Sequence, residues 1–493
     1  MSLAEIEFAF FFPALLLVYW LLPRRTNWQN ALLLAASYLF YASWNPRLLT
    51  VLLLSTAVDY LVARYLARQP TVAEAAKQQD GRRGRRAALS LSLACNLGLL
   101  GYFKYAGFFA ESLNALLGAL GLPDALPVLR IALPVGISFY TLQKIGYVLD
   151  VFYGRLEPCR SALAFATFVA FFPQLLAGPI TRGGPMLPQF SAPRRLTPQA
   201  VSSGASAFLL GFVLKAYVAD LLARELVDPV FAAPGAYARG AHWAALLGYA
   251  AQVFGDFAGY SLMAIGVGRL LGFELPQNFN YPFLSKSLPE LWQRWHITLN
   301  TWLFDYLYGP MVTSRGLLRG RLDLGFLLVF GASGLWHGAT WTFVFWGVWH
   351  GLGLAAHRRW DEFYRGLCRK DRSYVVLRRS AGYAAAAWLL TQSFFLLSLV
   401  PFRAPSLAAA GSFARGLLSA PGERWPELPP VSLALCAAFL LGYHLLALSR
   451  GRGAWERFVA LPGPIRGMAY GLIVVFLLLF VPKGAGTFIY AQF

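Results

Sequence analysis

The sequence predicts an all-α polytopic membrane protein. Of its 493 residues, 57% are hydrophobic and only 13% are charged. A soluble domain carries about a quarter charged residues, so roughly half of that complement is missing. A chain this poor in polar surface needs lipid around it. Many of its apolar runs also reach the length of about 20 residues that a helix needs to cross the hydrocarbon core.

The apolar runs that predict membrane-spanning helices follow one another through the whole chain, and we expect about 10–12 such helices in one domain, 1–493. The runs lie at 6–22, 30–43 with 46–67 as a hairpin, 88–109, 131–152, 205–222, 243–272, 324–356, 382–402, 429–449 and 467–482. The stretch Phe165–Ile180 is also apolar, but it contains Pro173, Gly178 and Pro179. It is therefore predicted to be a broken or re-entrant segment.

The charge pattern predicts the orientation in the membrane. The chain has 43 Lys and Arg against 23 Asp and Glu, a net charge of +20. The basic residues cluster between apolar runs, as the cytoplasmic loops of membrane proteins do, beside anionic lipid headgroups. Because so little soluble mass remains, no nucleic-acid partner is expected. The predicted cytoplasmic loops are Arg24-Arg25, Lys77–Arg86, Arg365–Arg379 and Arg450–Arg457, which puts both termini on the opposite side.

The segment Ser287–Pro310, SLPELWQRWHITLNTWLFDYLYGP, predicts one amphipathic helix. Ser287 is a good N-cap, and Glu290 completes a capping box. His296 and Asn300 are four residues apart and share one face at the edge of the apolar stripe. The stripe recurs every three or four positions: Trp292, Trp295, Leu299, Trp302 and Tyr306.

The segment Leu324–Ala356 contains no Asp, Glu, Lys or Arg. As one straight helix it would be about 50 Å long, more than a bilayer needs. Gly331, Gly334 and Gly338 therefore predict a break or close helix packing in its first half. His337 lies in this glycine cluster, roughly 20 Å from the edge of the apolar run and hence deep in the membrane.

Histidines are the candidates for chemistry. An ionisable side chain deep in a bilayer normally faces a cavity and a partner, and histidine suits proton transfer near neutral pH. We therefore predict that His296 and His337 form the reacting pair, although a purely structural role stays open for each. A metal site built from His296, His337 and His350 is conceivable, but the sequence has no HxxxH or HExxH spacing, so no metal is expected. Structural roles are expected for the remaining histidines: His242, His350, His357 and His444.

The two segments with His296 and His337 resemble the signature regions of the membrane-bound O-acyltransferase (MBOAT) family. The matching stretches are RWHITLNTWLFDYLYGP and GLWHGATWTFVFWGVWHG. Further similarities lie in LPVGISFYTLQKIGYVLDVFY, FFPQLLAGPITR, GDFAGYSLMAIG, NFNYP and the C-terminal FIYAQF. The resemblance is nearest to the bacterial branch, which includes an alginate O-acetyltransferase membrane subunit and the D-alanyl transfer protein of teichoic acid synthesis.

The resemblance implies an MBOAT-type bundle with re-entrant and interfacial helices around a central tunnel. Its motif core would be about 131–357, with peripheral spans in 1–130 and 380–493. It also implies acyl transfer with His337 as the catalytic histidine and His296 as the second one. Supporting or tunnel-lining roles are expected for Trp336, Asn300, Asp305, Tyr306 and Asn278.

The function implied is transfer of an acetyl group, from a cytoplasmic thioester donor, across the bacterial inner membrane. Acetyl-CoA is the expected donor, no cofactor stays bound, and the acceptor is an exopolysaccharide or cell-envelope glycan such as alginate. Expected partners are membrane lipids, a periplasmic acetyltransferase subunit, and acyl-CoA or an acyl carrier protein on the cytoplasmic side. Phe304, Leu262 and the turn GPMVTSRG depart from the alginate-type pattern, which puts that acceptor in doubt.

Several alternatives stay open at the level of the sequence. D-alanyl transfer from a carrier protein and peptidoglycan O-acetylation would use the same histidines. A transporter or lipid flippase would instead use charged residues inside the membrane as its relay. Those residues are Asp59, Lys104, Lys215, Asp220 and Asp256.

Overall fold

The structure is a computed structural model. It describes residues 1–69, 79–128, 131–314, 316–419, 422–426, 430–447, 453, 457–458 and 460–480. Helices make up 78% of it, and the described residues form no β-strand. This confirms the predicted all-α class. Lys77 and Arg450, where two predicted basic loops begin, lie outside the described residues, as do the C-terminal FIYAQF motif and the ends of the last two predicted spans.

The helices follow one another with short connections. Wider, π-helical turns lie at Gly101–Tyr105, Val213–Ala219, Ala223–Val227 and Phe304–Tyr308. Short, tighter helical turns lie at Pro46–Leu48, Pro234–Ala236 and Pro282–Leu284. The α-helices are α1 Ile6–Leu21, α2 Thr26–Ala42, α3 Leu49–Ala67, α4 Gln79–Leu100, α5 Ala106–Ala119, α6 Ile137–Phe152, α7 Ala162–Ala170, α8 Phe172–Leu175, α9 Gly183–Ser191, α10 Pro198–Phe212, α11 Asp220–Leu222, α12 Asp228–Ala232, α13 Arg239–Leu270, α14 Leu288–Arg294, α15 Ile297–Leu303, α16 Gly309–Thr313, α17 Leu322–His337, α18 Trp341–Lys370, α19 Ser373–Arg379, α20 Ala381–Arg403, α21 Leu407–Leu418, α22 Pro430–Leu445 and α23 Gly463–Phe480.

Apolar side chains on the outside of the helices identify a multi-pass membrane protein. Phe10 of α1 is 73% exposed and Leu390 of α20 is 74% exposed. Lipid, rather than water, is the solvent in which such a surface is stable. Within the described residues, four helical stretches are long and apolar enough to cross a membrane, namely Pro46–Ala67, Arg83–Ala119, Pro198–Ala232 and Ala381–Arg403. The expected total of about 10–12 spans stays a prediction.

Contacts divide the chain into two compact units, Met1–Ala205 with Ala264–Pro276, and Ser206–Met263 with Gln277–Phe493. The expectation of a single domain stays a prediction. In the first unit, a buried carboxylate and a buried ammonium group form a pair, which offsets the cost of placing charge in a low-dielectric interior. Asp59 lies 3.5 Å from Lys144 and also accepts hydrogen bonds from Ser92 and Asn96.

The stretch 165–180 is broken, as its prolines and glycine predict. Helix α7 ends at Ala170, and α8 begins at Phe172. Phe171, between them, leaves the helical conformation with φ −53° and ψ 105°. Pro173 lies in the first turn of α8, where its missing N–H costs little.

The prediction of one continuous helix over Ser287–Pro310 is wrong. Its start is correct, because Ser287 Oγ accepts a hydrogen bond from the Glu290 backbone N–H at 3.3 Å. Glu290, however, returns its bond to the backbone N–H of Lys286 instead of closing the box on Ser287. The helix then stops at Trp295, which is extended, and His296, which is left-handed with φ 44°. The recurrence of apolar residues every 3.6 positions indicates which side chains are buried. It does not require that the helix be continuous.

The charge-free segment 324–356 folds back as a hairpin of α17 and α18, as its length and glycines predict. The break falls at residues 338–340. A Cβ on Gly334 would lie 2.1 Å from the carbonyl oxygen of Phe343, and one on Gly347 would lie 2.2 Å from that of Phe330. The two helices therefore touch backbone to backbone, which only glycine permits. The Cα of Gly331 lies in this contact, 3.1 Å from a Cβ on Gly347, but a Cβ on Gly331 itself would meet nothing within 4 Å.

Candidate active site

His337 is the last residue of α17, and the helix break follows it directly. Its side chain is buried, with 4% of the residue exposed. Aromatic rings surround the imidazole: the ring centroids of Trp336 and Trp346 lie 5.0 Å away and that of Phe402 lies 5.4 Å away. The hairpin therefore presents His337 inside an apolar wall that keeps water away from it.

His296 occupies the break between α14 and α15. Its backbone has φ 44° and ψ 52°, a left-handed conformation that costs a residue with a Cβ roughly 1–2 kcal/mol. The side chain is 1% exposed, and its Nδ1 lies 3.1 Å from Oδ1 of Asn278. The ring of Phe257 from α13 meets the imidazole edge-on at 4.6 Å. The strained backbone thus turns the imidazole inward against α13 instead of along the helix surface.

The structure brings the two candidate histidines together. Their ring centroids are 6.4 Å apart, although the residues are 41 positions apart in the chain. Trp336 lies beside both, with its ring centroid 5.7 Å from that of His296. Two buried imidazoles at this separation are within reach of one small reacting group placed beside them, which is the geometry that acid–base chemistry needs.

The other predicted site residues lie in three places. Trp336 and Asn278 contact the histidines directly. Asn300 and Asp305 line a cavity of about 440 Å³ formed by α14, α15, α17 and α18. Tyr306 contacts Trp302, with their ring centroids 5.2 Å apart. Arg294, on the preceding helix α14, pairs with Glu290 at 3.0 Å.

A family model and several known proteins match this chain. The profile of the MBOAT, membrane-bound O-acyltransferase family, matches residues 159–400. A probable alginate O-acetylase AlgI of Azotobacter vinelandii is 36% identical over 440 residues, which are 89% of this chain and 82% of that protein. This chain belongs to the MBOAT family. It is therefore an O-acyltransferase, which decides between the enzyme and the transporter in favour of the enzyme.

Two other similar proteins have different names. A peptidoglycan O-acetyltransferase of Helicobacter pylori is 33% identical over 416 residues, 79% of this chain and 74% of that protein. A teichoic acid D-alanyltransferase of Streptococcus thermophilus is 29% identical over 265 residues, 50% of this chain and 60% of that protein. All three similar proteins are bacterial. They confirm the resemblance to the bacterial branch of the family that the sequence motifs indicated.

Four of the five charged residues that a transporter would use form ion pairs, Asp59 with Lys144 and the other three with one another. Lys215 Nζ lies 2.6 Å from a carboxylate oxygen of Asp220 and 2.6 Å from one of Asp256. Both carboxylates lie in the same unit as the lysine. Ion pairing of this kind offsets the cost of burying charge, so the cluster has a structural explanation.

The sequence did not predict some of the residues that surround the two histidines. Phe257 lies within the GDFAGYSLMAIG motif, so the motif was noticed but the ring's contact with His296 was not. Trp346 lies in the second signature segment. Its place in the apolar pattern of α18 is the only sequence signal for its contact with His337. Phe402 is 65 residues from His337, and nothing in the sequence connects them.

Three of the four histidines outside the pair, His242, His350 and His444, are held by simpler hydrogen bonds. His350 Nε2 lies 2.9 Å from Oγ of Ser398, and that hydroxyl donates to the Phe395 carbonyl at 2.6 Å. Ser398 therefore accepts from His350 and is not a serine activated by a histidine base. His242 and His444 each place Nδ1 within 3.0 Å of the carbonyl four residues before them. Among the described residues no three His, Cys, Asp or Glu side chains could hold a metal ion; the expectation of no metal stays a prediction.

Proposed function

We propose that this acyltransferase passes an acetyl group from acetyl-CoA, on the cytoplasmic side of a bacterial inner membrane, to a glycan hydroxyl on the other side. The observation that carries the proposal is the pair of buried imidazoles, His296 and His337, with ring centroids 6.4 Å apart. The names of two similar proteins, an alginate O-acetylase and a peptidoglycan O-acetyltransferase, support acetyl as the group and a glycan as the acceptor.

The proposed chemistry is one acyl transfer with balanced protons. The hydroxyl oxygen of the acceptor attacks the thioester carbonyl carbon while a neutral imidazole of His337 takes the hydroxyl proton. The C–S bond then breaks, and the departing thiolate takes the proton back from the imidazolium. His296 lies beside the reacting group and helps to orient the acceptor next to His337. The products are an ester and a free thiol.

The surroundings of the pair favour transfer over hydrolysis. The imidazole of His337 is enclosed by the rings of Trp336, Trp346 and Phe402. A closed apolar wall keeps bulk water, the competing acceptor, from the thioester. The same low-dielectric surroundings strengthen the interaction of an imidazole with developing charge.

The cavity beside α14 and α15 is the proposed entry for the donor's thioester arm. Its volume of about 440 Å³ lies in the usual range for small-ligand sites. Its walls are mainly apolar, with Gln293, Asn300 and Asp305 among the polar side chains at its lining. The cavity lies along the segment that carries His296, so an arm held there would lead toward the histidine pair.

Orientation and partners complete the proposal. The basic loops would face the cytoplasm, both termini would lie in the periplasm, and the acyl group would move outward. Similarity to proteins named for alginate acetylation and teichoic acid D-alanylation supports membrane-associated partners in a system of several components. A periplasmic acetyltransferase subunit is the partner that an outward-moving acetyl group would need.

The test is acyl transfer by purified protein in nanodiscs supplied with radiolabelled acetyl-CoA. Wild type is compared with His337→Ala and His296→Ala after each variant is shown to elute as a folded species. Acceptors are added separately: an alginate oligosaccharide and a peptidoglycan fragment. Labelled ester formed by wild type and lost in His337→Ala supports the proposal, and the acceptor that is labelled identifies the glycan.

Other results would change the proposal in defined ways. If no form of the protein uses acetyl-CoA but wild type uses a D-alanyl carrier protein, the donor is wrong and the D-alanyl alternative replaces it. If His337→Ala transfers label as fast as wild type, the assignment of the reacting group is wrong.

A further inference from the structure

One side-chain oxygen connects His296 to the start of helix α15. Oδ1 of Asn278 lies 3.1 Å from Nδ1 of His296, 3.3 Å from the backbone nitrogen of Thr298 and 3.0 Å from Thr298 Oγ1. Asn278 is 1% exposed. All three contacts converge on one atom inside the protein.

The orientation of the Asn278 amide follows from its surroundings. The backbone N–H of Thr298 is always a donor, so the atom that faces it must be the oxygen. The amide nitrogen of Asn278 then points to Oγ of Ser261 on α13 at 3.2 Å, where a hydroxyl can accept. A flipped amide would place two donors against each other at Thr298.

This orientation decides which nitrogen of His296 carries a proton. Since Oδ1 of Asn278 only accepts hydrogen bonds, Nδ1 of His296 must donate. In the neutral imidazole the other nitrogen, Nε2, then has a free lone pair. Nε2 of His296 is fully buried and has no hydrogen-bond partner among the described residues. Its lone pair is therefore kept available for a substrate proton or hydroxyl.

Asn278 also holds the backbone that aims this imidazole. His296 is the N-cap residue of α15, but its side chain makes no cap hydrogen bond. The first amide groups of α15 are instead satisfied by Asn278: its carbonyl oxygen accepts from Ile297 N at 2.9 Å, and its side chain accepts from Thr298 N. Capping stabilises the start of a helix, and here it offsets part of the cost of the left-handed backbone at His296.

We propose that Asn278 is a positioning residue that fixes His296 in the Nδ1–H tautomer and presents its bare Nε2 to the acyl acceptor. The proposal rests on the proposed function for its catalytic consequence, because His296 is assigned to acyl transfer there. The tautomer itself rests only on the hydrogen bonds of Asn278. An asparagine acting only as packing would satisfy neither the Thr298 amide nor His296.

The test combines a spectroscopic signature with kinetics. Protein labelled with ¹⁵N-histidine is examined in nanodiscs by solid-state NMR, and the His296 signals are assigned by their loss in His296→Gln. Wild type is expected to show a protonated Nδ1 and an unprotonated Nε2. In Asn278→Ala the Nε2–H tautomer is expected to appear, and kcat for acetyl transfer is expected to fall about 10–100-fold, with KM little changed.

Two further variants serve as controls. Asn278→Asp keeps an acceptor oxygen toward His296 and Thr298, so it is expected to retain the Nδ1–H tautomer. Asn280→Ala removes an exposed asparagine two residues away and is expected to match wild type in both readouts.

The outcomes separate this proposal from the proposed function. A wild-type His296 protonated on Nε2, or an Asn278→Ala spectrum identical to wild type, overturns the tautomer assignment, and the wild-type spectrum gives this answer even if Asn278→Ala fails to fold. If the spectra behave as expected but wild type transfers no acyl group from any donor, the tautomer assignment holds and the proposed function is overturned.

Discussion

The two histidines of the site are positioned by different physical means. His337 is carried by the α17–α18 hairpin, whose helices touch through Gly334 and Gly347. His296 is carried by an irregular turn and is held by hydrogen bonds to Asn278. The first region depends on the absence of side-chain volume, and the second depends on polar atoms in defined places. The proposed catalytic pair therefore has two distinct structural weaknesses.

This difference predicts how each half responds to mutation. Close packing fails when a methyl group is added, because the carbonyl in its way belongs to the backbone and cannot rotate aside. A hydrogen-bonded turn tolerates volume changes nearby but fails when a buried donor or acceptor loses its partner. The predictions below test this contrast, from the largest expected effect to the smallest.

The largest effect is expected at the reacting group itself. His337→Gln keeps a polar side chain of similar size but removes the proton acceptor, so the transfer rate is expected to fall about 10²–10⁴-fold. The measurement is the initial rate of labelled acetyl transfer per folded molecule in nanodiscs.

His350→Gln is the matched control for this experiment. It alters a buried histidine bonded to Ser398 outside the reacting pair. Its expected effect is on stability, by about 1–3 kcal/mol, with the rate per folded molecule close to that of wild type. Equal loss of rate in both variants would contradict the distinction between a reacting and a structural histidine.

The second effect concerns the hairpin. Gly334→Ala places a methyl group 2.1 Å from the Phe343 carbonyl oxygen, so the helices must separate, at a cost of about 1–3 kcal/mol. Gly331→Ala, three residues earlier, meets nothing within 4 Å and gains up to about 1 kcal/mol of helix propensity. The measurement is thermal unfolding in detergent, with opposite shifts of Tm expected. Similar Tm values for the two variants would show that the close contact does not limit stability.

The smallest effect is expected at the turn's own backbone. Asn300 Nδ2 lies 3.0 Å from the Trp292 carbonyl oxygen, 2.6 Å from that of Trp295 and 3.2 Å from that of His296. Asn300→Ala leaves those carbonyls with fewer donors, and we expect a loss of about 1 kcal/mol in unfolding free energy. Thermal unfolding measures it, together with the rate of acyl transfer.

Gln293→Ala separates this effect from a change in the cavity. Gln293 is exposed and lines the same cavity as Asn300. Its loss is expected to leave Tm unchanged. A drop in Tm as large as that of Asn300→Ala would indicate that the cavity wall, and not the backbone carbonyls, determines the result.

Much of the fold and site was predictable from local properties of the chain. Composition predicted that lipid is the solvent, and a charge-free run too long for one span predicted a break or close helix packing among the glycines around His337. The motifs around His296 and His337 determined the family. These properties can be predicted from the sequence because each depends on the residue types within a short stretch of the chain.

Only the tertiary structure decided how the two histidines meet. The apolar stripe of Ser287–Pro310 predicted a continuous helix, and the structure breaks it at His296 because Asn278, from another part of the chain, caps the new helix. Phe257 and Phe402, which enclose the pair, lie on helices far from both histidines in sequence. Periodicity records which face of a segment is buried, whereas a buried hydrogen bond from a distant residue can outweigh the local preference for helix. The sequence by itself therefore determined the solvent, a break or close packing within 324–356 and the candidate histidines, and the packing of distant segments decided their geometry.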